Sequence, residues 1–291
     1  MGLGLVACRL PTLATPVTLR PPLVATPTIA VRMEEDSAES TPILPDPAAT
    51  PPPFAPSSSP TPPPRDTGWE TLRPGLERRR IRLFDALDFQ IDALYLLRLD
   101  PDLFRFDLGY HPGQPQRLEQ WQADTGALIV VNGGFFTPEY IATGLIILNG
   151  VPGGVSYEGF GGMLTLIDGH PDLRGLAQEP YDPAEKFDAA LQSFPLLVHT
   201  GGQLGYTRPS EQRARRTVIA QDQAGRFVLL VADRSQFTLP ALSRYLLESD
   251  LALDIALNLD GGPSSGLLLA ESAEIVPAYV PLPSVILIYA R

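Results

Sequence analysis

Apolar residues in this chain cluster in short runs, and most of these runs end at glycine, proline, asparagine or aspartate. Alternating apolar and polar positions predict strands at 94–99 and 103–108. A fully apolar run at 127–131 and a mostly apolar run at 254–259 predict buried strands, and the run at 285–289 predicts a last strand. The pattern indicates a domain built mainly from short strands.

Tight turns link several of these runs. The pairs at 149–150 and 168–169 are Asn-Gly and Asp-Gly, which favour two-residue hairpin turns. Residues 217–232 are predicted to form a hairpin whose turn contains Gly225, and 193–198 is predicted as one further strand. Strands that follow one another in the sequence are therefore expected to pair in an antiparallel way.

Two segments have the features of a helix. Residues 118–126 predict a short helix that Gly126 ends. A second helix is predicted after Thr238, which can cap it, with Pro240 in its first turn and leucines along one face. Many strands, tight turns and few helices imply an α+β fold, with a single domain around a largely antiparallel or mixed β-sheet.

Composition divides the chain into two parts. Half of its 32 prolines precede Arg65, and residues 9–67 consist largely of Pro, Thr, Ala and Ser. Such a segment has too little apolar surface to offset its ordering entropy, so residues 9–67 are predicted to be a disordered Pro-rich tether. The globular domain is predicted at 68–291, a length that suits one domain with its own core.

The first eight residues end at the chain's only cysteine. Leu5-Val6-Ala7-Cys8 resembles a bacterial lipobox, so residues 1–8 are interpreted as part of a lipoprotein-type signal. A positive n-region and a longer apolar run are missing. Either the true start lies upstream of Met1, or the match is a coincidence and Cys8 is a free thiol. A lipid anchor at Cys8 is the only membrane attachment expected, since no apolar run approaches the roughly 18 residues of a spanning helix.

Charge and motif content argue against several classes of protein. The formal net charge is −11, from 33 acidic and 22 basic residues, which does not suit a nucleic-acid partner. No His/Cys spacing resembles a zinc site, and no phosphate-binding loop or dinucleotide motif is present. No cofactor is therefore expected. A divalent cation is conceivable with this many acids, but no ligand spacing supports one.

The segment after the strand at 254–259 is the first candidate site. Asp260 follows the strand, and Gly261, Gly262, Pro263 and Ser264 then turn the backbone. Paired glycines allow a ligand to approach closely, and serine adds a hydroxyl at the same edge. This is the layout of a polar active site. The alternative is that Asp260 only caps its own turn, as Asp-Gly pairs often do.

A second candidate is Asn132-Gly133-Gly134-Phe135-Phe136, at the end of the strand 127–131. The Asn132 amide can bind sugar hydroxyls or a phosphate oxygen, and consecutive glycines can expose N–H groups to an anion. The alternative is a plain glycine turn followed by two core aromatics.

Charged residues at two further strand ends complete the candidates. Arg216 and Thr217 enter a strand, and arginine suits bidentate recognition of phosphate or carboxylate. The neighbours Arg213 and Arg215 are expected to lie on a solvated surface. Asp233 ends the next strand and is a possible second carboxylate for glycoside cleavage; a turn or an ion pair is its alternative role.

Taken together, these motifs resemble the phosphodiester glycosidase family in their order and spacing, over residues 127–289. The resemblance implies an extracytoplasmic hydrolase that cleaves the sugar side of a glycosyl phosphodiester from a cell envelope or exopolysaccharide. It implies that Asp260 is nucleophile, base or stabiliser of an oxocarbenium-like centre, that Arg216 binds the phosphate and that Asn132 orients the substrate. Residues expected to contact the substrate are Gly133, Gly134, Thr217, Asp233, Gly261, Gly262 and Ser264. Asp233-Arg234 and His199-Thr200 depart from the family's Asp-Gly turns, which weakens the assignment of Asp233.

Two other functions stay open at this point. One is a non-catalytic, surface-anchored module that binds polysaccharide through aromatic platforms such as Trp121 or Tyr140. The other is an exopolysaccharide-processing enzyme of the same fold that acts on a different bond.

Overall fold

The computed structural model describes residues 63–291. The predicted signal at 1–8 and most of the predicted tether at 9–67 lie outside the described residues. The strands, in chain order, are β1 (Glu70–Arg73), β2 (Leu76–Phe84), β3 (Gln90–Leu99), β4 (Phe104–Tyr110), β5 (Ile129–Asn132), β6 (Ile146–Leu148), β7 (Val151–Gly153), β8 (Gly162–Ile167), β9 (His170–Gly175), β10 (Ala189–Ser193), β11 (Leu196–His199), β12 (Gln203–Leu204), β13 (Ala214–Asp222), β14 (Phe227–Phe237), β15 (Leu253–Asn258), β16 (Leu267–Leu269), β17 (Glu274–Val276) and β18 (Ser284–Ala290). The two α-helices of this region are α1 (Leu118–Thr125) and α2 (Leu239–Glu248).

The strands form three sheets. The largest has eight strands in the order β1-β2-β3-β14-β13-β15-β11-β12. A second sheet has the order β7-β6-β10-β8-β9, and a third has the order β17-β16-β5-β18-β4. The strand pairs named by register in residues 63–291 are antiparallel. The predicted antiparallel pairing is confirmed, but the strands are divided among three sheets instead of one.

Apolar faces of all three sheets meet in one core. This core includes Leu97 and Leu229 of the large sheet, Leu164 of the second and Val131 and Ile286 of the third. The opposite face of the large sheet is covered by α2, and the opposite face of the third sheet is covered by α1. No helix within residues 63–291 is long and apolar enough to cross a membrane.

Local chemistry explains both helices. The α1 helix ends as predicted at Gly126, which has the left-handed φ of 67° and donates its N–H to the Gln122 carbonyl. The α2 helix begins as predicted after Thr238, whose hydroxyl accepts a hydrogen bond of 3.3 Å from the Ala241 N–H. Because these signals lie within a few residues of the helix ends, they can be read from sequence alone.

The predicted hairpins are also present. Asn149-Gly150 joins β6 to β7, and Asp168-Gly169 joins β8 to β9. All four of these residues have φ between 50° and 72°, as a two-residue hairpin turn requires. The hairpin predicted at 217–232 is the pair β13 and β14.

Two segments differ from their predicted form. The single strand predicted at 193–198 is two strands, since β10 belongs to the second sheet and β11 to the large sheet. The chain changes sheets at Phe194-Pro195, where proline cannot donate to a ladder. At the start of the domain, the Arg65 carbonyl and Asp66 already pair with β2, a few residues before the predicted boundary.

Trp121 lies inside the protein. Its side chain is 1% exposed, and its indole N–H donates a 3.0 Å hydrogen bond to the Leu282 carbonyl. The proposed use of Trp121 as a polysaccharide platform is therefore wrong, because α1 turns this residue towards the third sheet as part of the core.

Candidate active site

The ends of three strands meet beside a cleft of about 350 Å³. Asn132 ends β5 of the third sheet, Arg216 and Thr217 lie near the start of β13, and Asp260 follows β15 of the large sheet. Residues that line the cleft include Phe136, Tyr140, Asp260, Gly261, Pro263 and Ser264. The structure therefore brings the predicted motifs around 132, 216 and 260 together.

Strand register explains why these motifs meet. In the β13–β15 pair Val218 lies opposite Asn258, and the Leu259 N–H donates 2.9 Å to the Thr217 carbonyl. Continuing the same antiparallel register by two residues brings Asp260 level with Arg216. A basic and an acidic residue 44 positions apart thus become neighbours across the end of one strand pair.

Asp260 is held by its backbone and partly buried. Its N–H donates 3.2 Å to the Gly133 carbonyl, and its Oδ1 accepts 2.8 Å from the Gly261 N–H. Burial raises the pKa of Asp260 to about 6, while hydrogen bonds from Ser264 and Gly261 act in the opposite direction. The carboxyl group therefore changes protonation near neutral pH, which is a property of groups that take part in catalysis.

Asn132 connects the two sheets beneath Asp260. It is fully buried, and its Nδ2 donates 2.8 Å to the Asp260 carbonyl. Its Oδ1 accepts from the Thr217 hydroxyl at 2.7 Å and from the Gly266 N–H at 3.0 Å. Both the oxygen and the nitrogen of this amide have protein partners. The Asn132 and Thr217 side chains thus bind each other, and Asn132 also binds the Asp260 backbone.

Replacing Asn132 by Ala is expected to lower the free energy of unfolding by about 2–4 kcal/mol, because it leaves buried polar groups without partners. Urea unfolding followed by circular dichroism measures the change. The control is Gln120→Ala on the exposed face of α1, with an expected change within about 0.5 kcal/mol. If the free energy of unfolding fell as little for Asn132→Ala as for Gln120→Ala, these hydrogen bonds would not hold the two sheets together.

Arg216 is a buried cation without a carboxylate partner in residues 63–291. The residue is 7% exposed, and its Nε and Nη2 donate to the carbonyls of Phe237 (3.2 Å) and Gln212 (2.8 Å). Burial lowers the pKa of its guanidinium. Its Nη1 has no protein partner within this region and lies 3.8 Å from the place where a Cβ on Gly261 would stand. The group is thus available to an anion bound beside the Asp260 turn.

Arg215 has a different environment from the solvated one expected for it. It is 4% exposed, its Nε and Nη2 donate to the carbonyl and Oδ1 of Asp233, and its guanidinium lies 4.2 Å from the Tyr279 ring centroid. The expectation was wrong because β17 and the residues after it cover this face. Asp233 lines a separate cavity with Arg80 and Glu274 and does not line the Asp260 cleft.

The glycines of the two motifs have different roles. The Gly133 N–H donates 3.0 Å to the Ser284 carbonyl, and a Cβ on Gly133 would lie 2.6 Å from the Ser284 hydroxyl oxygen. A Cβ on Gly134 would lie 3.3 Å from the Gln192 carbonyl oxygen. Gly133 and Gly134 therefore let neighbouring segments approach closely. Gly262 has a φ of 61°, a left-handed conformation that glycine adopts readily, and it serves the turn after Asp260.

Aromatic side chains form one wall of the cleft. The Phe136 and Tyr140 rings are stacked with centroids 5.6 Å apart. Phe136 is a cleft residue that the sequence did not predict. Its position four residues after Asn132 is the one sequence feature that links it to the site. Tyr140 was considered as a polysaccharide platform, and it does line the cleft.

No group of three or more His, Cys, Asp or Glu side chains suited to a metal ion occurs in the described part of the chain. Within the cleft, Asp260 is the one carboxylate among the lining residues. The chemistry of this cleft thus rests on one carboxylate, one nearby guanidinium, and hydroxyl and backbone groups.

Comparison with known proteins gives a family and a similar fold. A family model described as phosphodiester glycosidase matches residues 125–289. No curated protein matches the sequence. The fold is similar to the zebrafish N-acetylglucosamine-1-phosphodiester alpha-N-acetylglucosaminidase catalytic domain auto-inhibited by its pro-peptide, with a TM-score of 0.58 and 17% identity over 76% of this chain and 86% of that one. It is also similar to a hypothetical protein from Synechocystis, with a TM-score of 0.52 and 15% identity over 75% of this chain and 62% of that one.

Proposed function

The chain belongs to the phosphodiester glycosidase family, and from that premise we propose that it hydrolyses the bond between a sugar and the phosphate of a glycosyl phosphodiester. One observation carries this proposal. The buried Arg216 guanidinium, which has no carboxylate partner in residues 63–291, lies beside the turn that carries Asp260. Arginine suits a phosphate oxygen, and a carboxylate suits the carbon that becomes positive when the sugar leaves.

The proposed reaction needs only one carboxylate. The bond between the anomeric carbon and the phosphate oxygen breaks, and the electron pair leaves with the phosphate. A phosphate monoester is stable as an anion, so it needs less protonation than an alkoxide leaving group. Arg216 offsets the charge that develops on the phosphate. Asp260 then acts at the anomeric carbon, as nucleophile, as base towards water or as electrostatic stabiliser, and water supplies the new hydroxyl group.

The other predicted site residues divide into two groups. The Gly261 N–H binds the Asp260 carboxylate, the Ser264 side chain lowers its pKa, and both residues border the cleft, so we assign them to the substrate side. Asn132 and Thr217 act as positioning residues, because their side chains bind each other and Asn132 binds the Asp260 backbone. Gly133 contributes through its carbonyl, which accepts from the Asp260 N–H.

The rate is expected to rise with pH through an apparent pKa of about 6. Burial raises the pKa of Asp260 to about 6, and all three proposed roles need the ionised form, so activity is lost as the pH falls below that value. Measuring kcat/KM from pH 4.5 to 8.5 tests this. In Ser264→Ala the midpoint is expected to move upwards, because the hydrogen bond from Ser264 lowers the pKa. If kcat/KM did not change with pH in either protein, ionisation of Asp260 would not control the reaction.

The function is tested directly with the full chain. Release of sugar from a synthetic N-acetylglucosamine-1-phosphodiester or from a UDP-sugar is followed beside the Asp260→Asn variant. Hydrolysis by the first protein alone supports the proposal. Binding of polysaccharide without hydrolysis, unaffected by the substitution, would favour the surface-anchored binding module instead. Substrates with other bonds address the exopolysaccharide-processing alternative.

We also propose that the enzyme works outside the cytoplasm, held at a membrane through Cys8. The support is the lipobox-like Leu5-Val6-Ala7-Cys8 and the Pro-rich residues that follow it. Fractionation of cells that express the full chain or its Cys8→Ser variant tests the anchor, since only the unchanged protein should remain with membranes.

A further inference from the structure

A second cavity of about 350 Å³ is lined by Phe194 and Pro195, which hydrogen-bond Asn258 of the strand that leads to Asp260. Its lining includes Phe160, Phe194, His199, Tyr206, Arg208 and Leu239, and we call it the leaving-group cavity. A space of this size accommodates a small ligand. It is distinct from the Asp260 cleft, with which it has no lining residue in common.

Hydrogen bonds connect the leaving-group cavity to the Asp260 strand. Asn258, two residues before Asp260, donates from Nδ2 to the Phe194 carbonyl and from its N–H to the Pro195 carbonyl, each at 3.0 Å. The Phe194 ring stacks at 4.6 Å on Phe135, which lies in the Asn132 motif. The wall of the cavity is thus fixed to both strands that build the site.

Arg216 is not among the lining residues of either space, but its guanidinium contacts segments that lead to both. Its Nη1 approaches Gly261, which lines the Asp260 cleft. Its Nε donates to the carbonyl of Phe237, two residues before Leu239 of the leaving-group cavity. A phosphate on Arg216 with its sugar at Asp260 would direct its other substituent towards the segment that carries Leu239.

The lining of this cavity combines aromatic side chains with polar groups and one cationic side chain. Phe160, which is 44% exposed, lies 5.2 Å from the Phe194 ring. The Nδ1 of His199 is buried and has no partner within residues 63–291. Arg208 is exposed and makes no ion pair with the described residues. None of the lining residues is Asp or Glu, although the chain has 33 acidic and 22 basic residues.

We propose that the leaving-group cavity binds the substituent on the far side of the phosphate, and that it selects a ring-bearing aglycone with a second negative charge. The inference rests on the proposed function. The apolar face of a sugar or a nucleobase packs on the exposed Phe160 ring, which lies against Phe194. A second phosphate or a carboxylate binds Arg208, and ring hydroxyls bind Tyr206 and His199.

Other aglycones fit this lining less well. An alkyl or lipid chain would cover the apolar surface but would leave the polar groups of His199 and Tyr206 desolvated without partners. A small alcohol such as methanol would not reach the cavity. A neutral sugar would use the aromatic surface without Arg208.

The test compares substrates that share N-acetylglucosamine-1-phosphate and differ only in the aglycone. These are the methyl ester, a neutral galactosyl ester, a glucuronate ester and UDP-N-acetylglucosamine, in which uridine monophosphate is the substituent. Variants of the full chain are Arg208→Gln and Phe160→Ala, and Arg117→Gln is the control because it removes an exposed arginine of the α1 N-terminus. Steady-state kinetics give kcat and KM for each pair.

Arg208→Gln is expected to raise KM about tenfold for the glucuronate and nucleotide substrates alone, which is the order of magnitude of one charge-assisted contact. Phe160→Ala is expected to raise KM for every ring-bearing substrate, and neither variant should affect the methyl ester. A lower KM for the glucuronate ester would identify a carboxylate as the preferred second charge, and a lower KM for UDP-N-acetylglucosamine would identify a second phosphate. Equal losses on all four substrates, or no loss on any, would overturn the inference.

A binding measurement separates this inference from the proposed function. If the unchanged protein hydrolyses none of the substrates, calorimetry with UDP decides, with methyl phosphate as the comparison. If UDP binds and Arg208→Gln weakens that binding, the proposed role of the leaving-group cavity is supported although the proposed reaction has failed. Absence of UDP binding as well would overturn the inference.

Discussion

Replacing Asp260 by Asn is expected to lower kcat by about three to five orders of magnitude, while the protein keeps its fold. Asp260 is the one carboxylate among the residues that line the cleft, so no neighbour there can take over its role. The amide is nearly isosteric and can still accept the Gly261 N–H, which the carboxylate accepts at 2.8 Å. Kinetics with a synthetic N-acetylglucosamine-1-phosphodiester measure the loss, and circular dichroism checks the fold.

The matched control is Asp254→Asn on the same strand. The Asp254 Oδ1 accepts 3.0 Å from the Gly201 N–H at the opposite end of β15, away from the cleft. Activity of this variant should remain within about twofold of the unchanged protein. A similar rate for Asp260→Asn would assign the reaction to another group.

The same substitution is expected to stabilise the protein at neutral and alkaline pH. Burial raises the pKa of Asp260 from 3.8 to about 6, so its contribution to stability is complete below pH 3.8 and is lost as the pH rises through 6. Asn carries no such cost, and the gain at pH 8 should be about 1–3 kcal/mol. Thermal unfolding at pH 8 and pH 4 should show the gain only at the higher pH. A variant that loses both activity and stability at pH 8 would contradict the proposed origin of the pKa.

Replacing Arg216 by Met is the second change with a large expected effect. kcat/KM should fall by about two to four orders of magnitude, because the charge that offsets the leaving phosphate is lost. Stability should fall by only about 1–2 kcal/mol, because the buried Phe237 carbonyl loses its donor but no carboxylate in residues 63–291 loses a partner. Kinetics and urea unfolding of the same preparations measure the two effects together.

Arg215→Met is the internal comparison for that variant. Arg215 pairs with Asp233 at 3.1 Å, so its loss leaves a carboxylate without its partner and should cost about 2–4 kcal/mol of stability. Its guanidinium is bound to Asp233 and to the Pro277 carbonyl, so the folded fraction should keep most of its activity. Arg216→Met should thus lower mainly activity, and Arg215→Met should lower mainly stability. If both variants lost activity to the same degree, Arg216 would have no special role towards phosphate.

Short-range features of this protein could be predicted from sequence. The caps at Thr238 and Gly126 and the turns at 149–150 and 168–169 depend on residues within one turn of the backbone. The family resemblance also rested on local motifs, each at a strand end beside glycines. Asp260 and Arg216 were selected on that basis, and the structure places them at the end of the same strand pair.

Long-range features could not be predicted in the same way. No local signal says that β10 and β11 join different sheets, or that β17 covers Arg215. The sequence presented Asn132 as a free amide, whereas it joins two strands whose sequence positions differ by more than one hundred residues. The leaving-group cavity is built from segments near 160, 194, 206 and 239, and none of them has a recognisable motif.

The position of β18 has a consequence for deletions in the third sheet. The β18 strand lies between β4 and β5, so it is the strand that joins β4 to the rest of that sheet. Because β5 pairs with β18 and carries Asn132, which holds the Asp260 backbone, deletion of residues 284–290 is expected to disturb the cleft although none of them lines it.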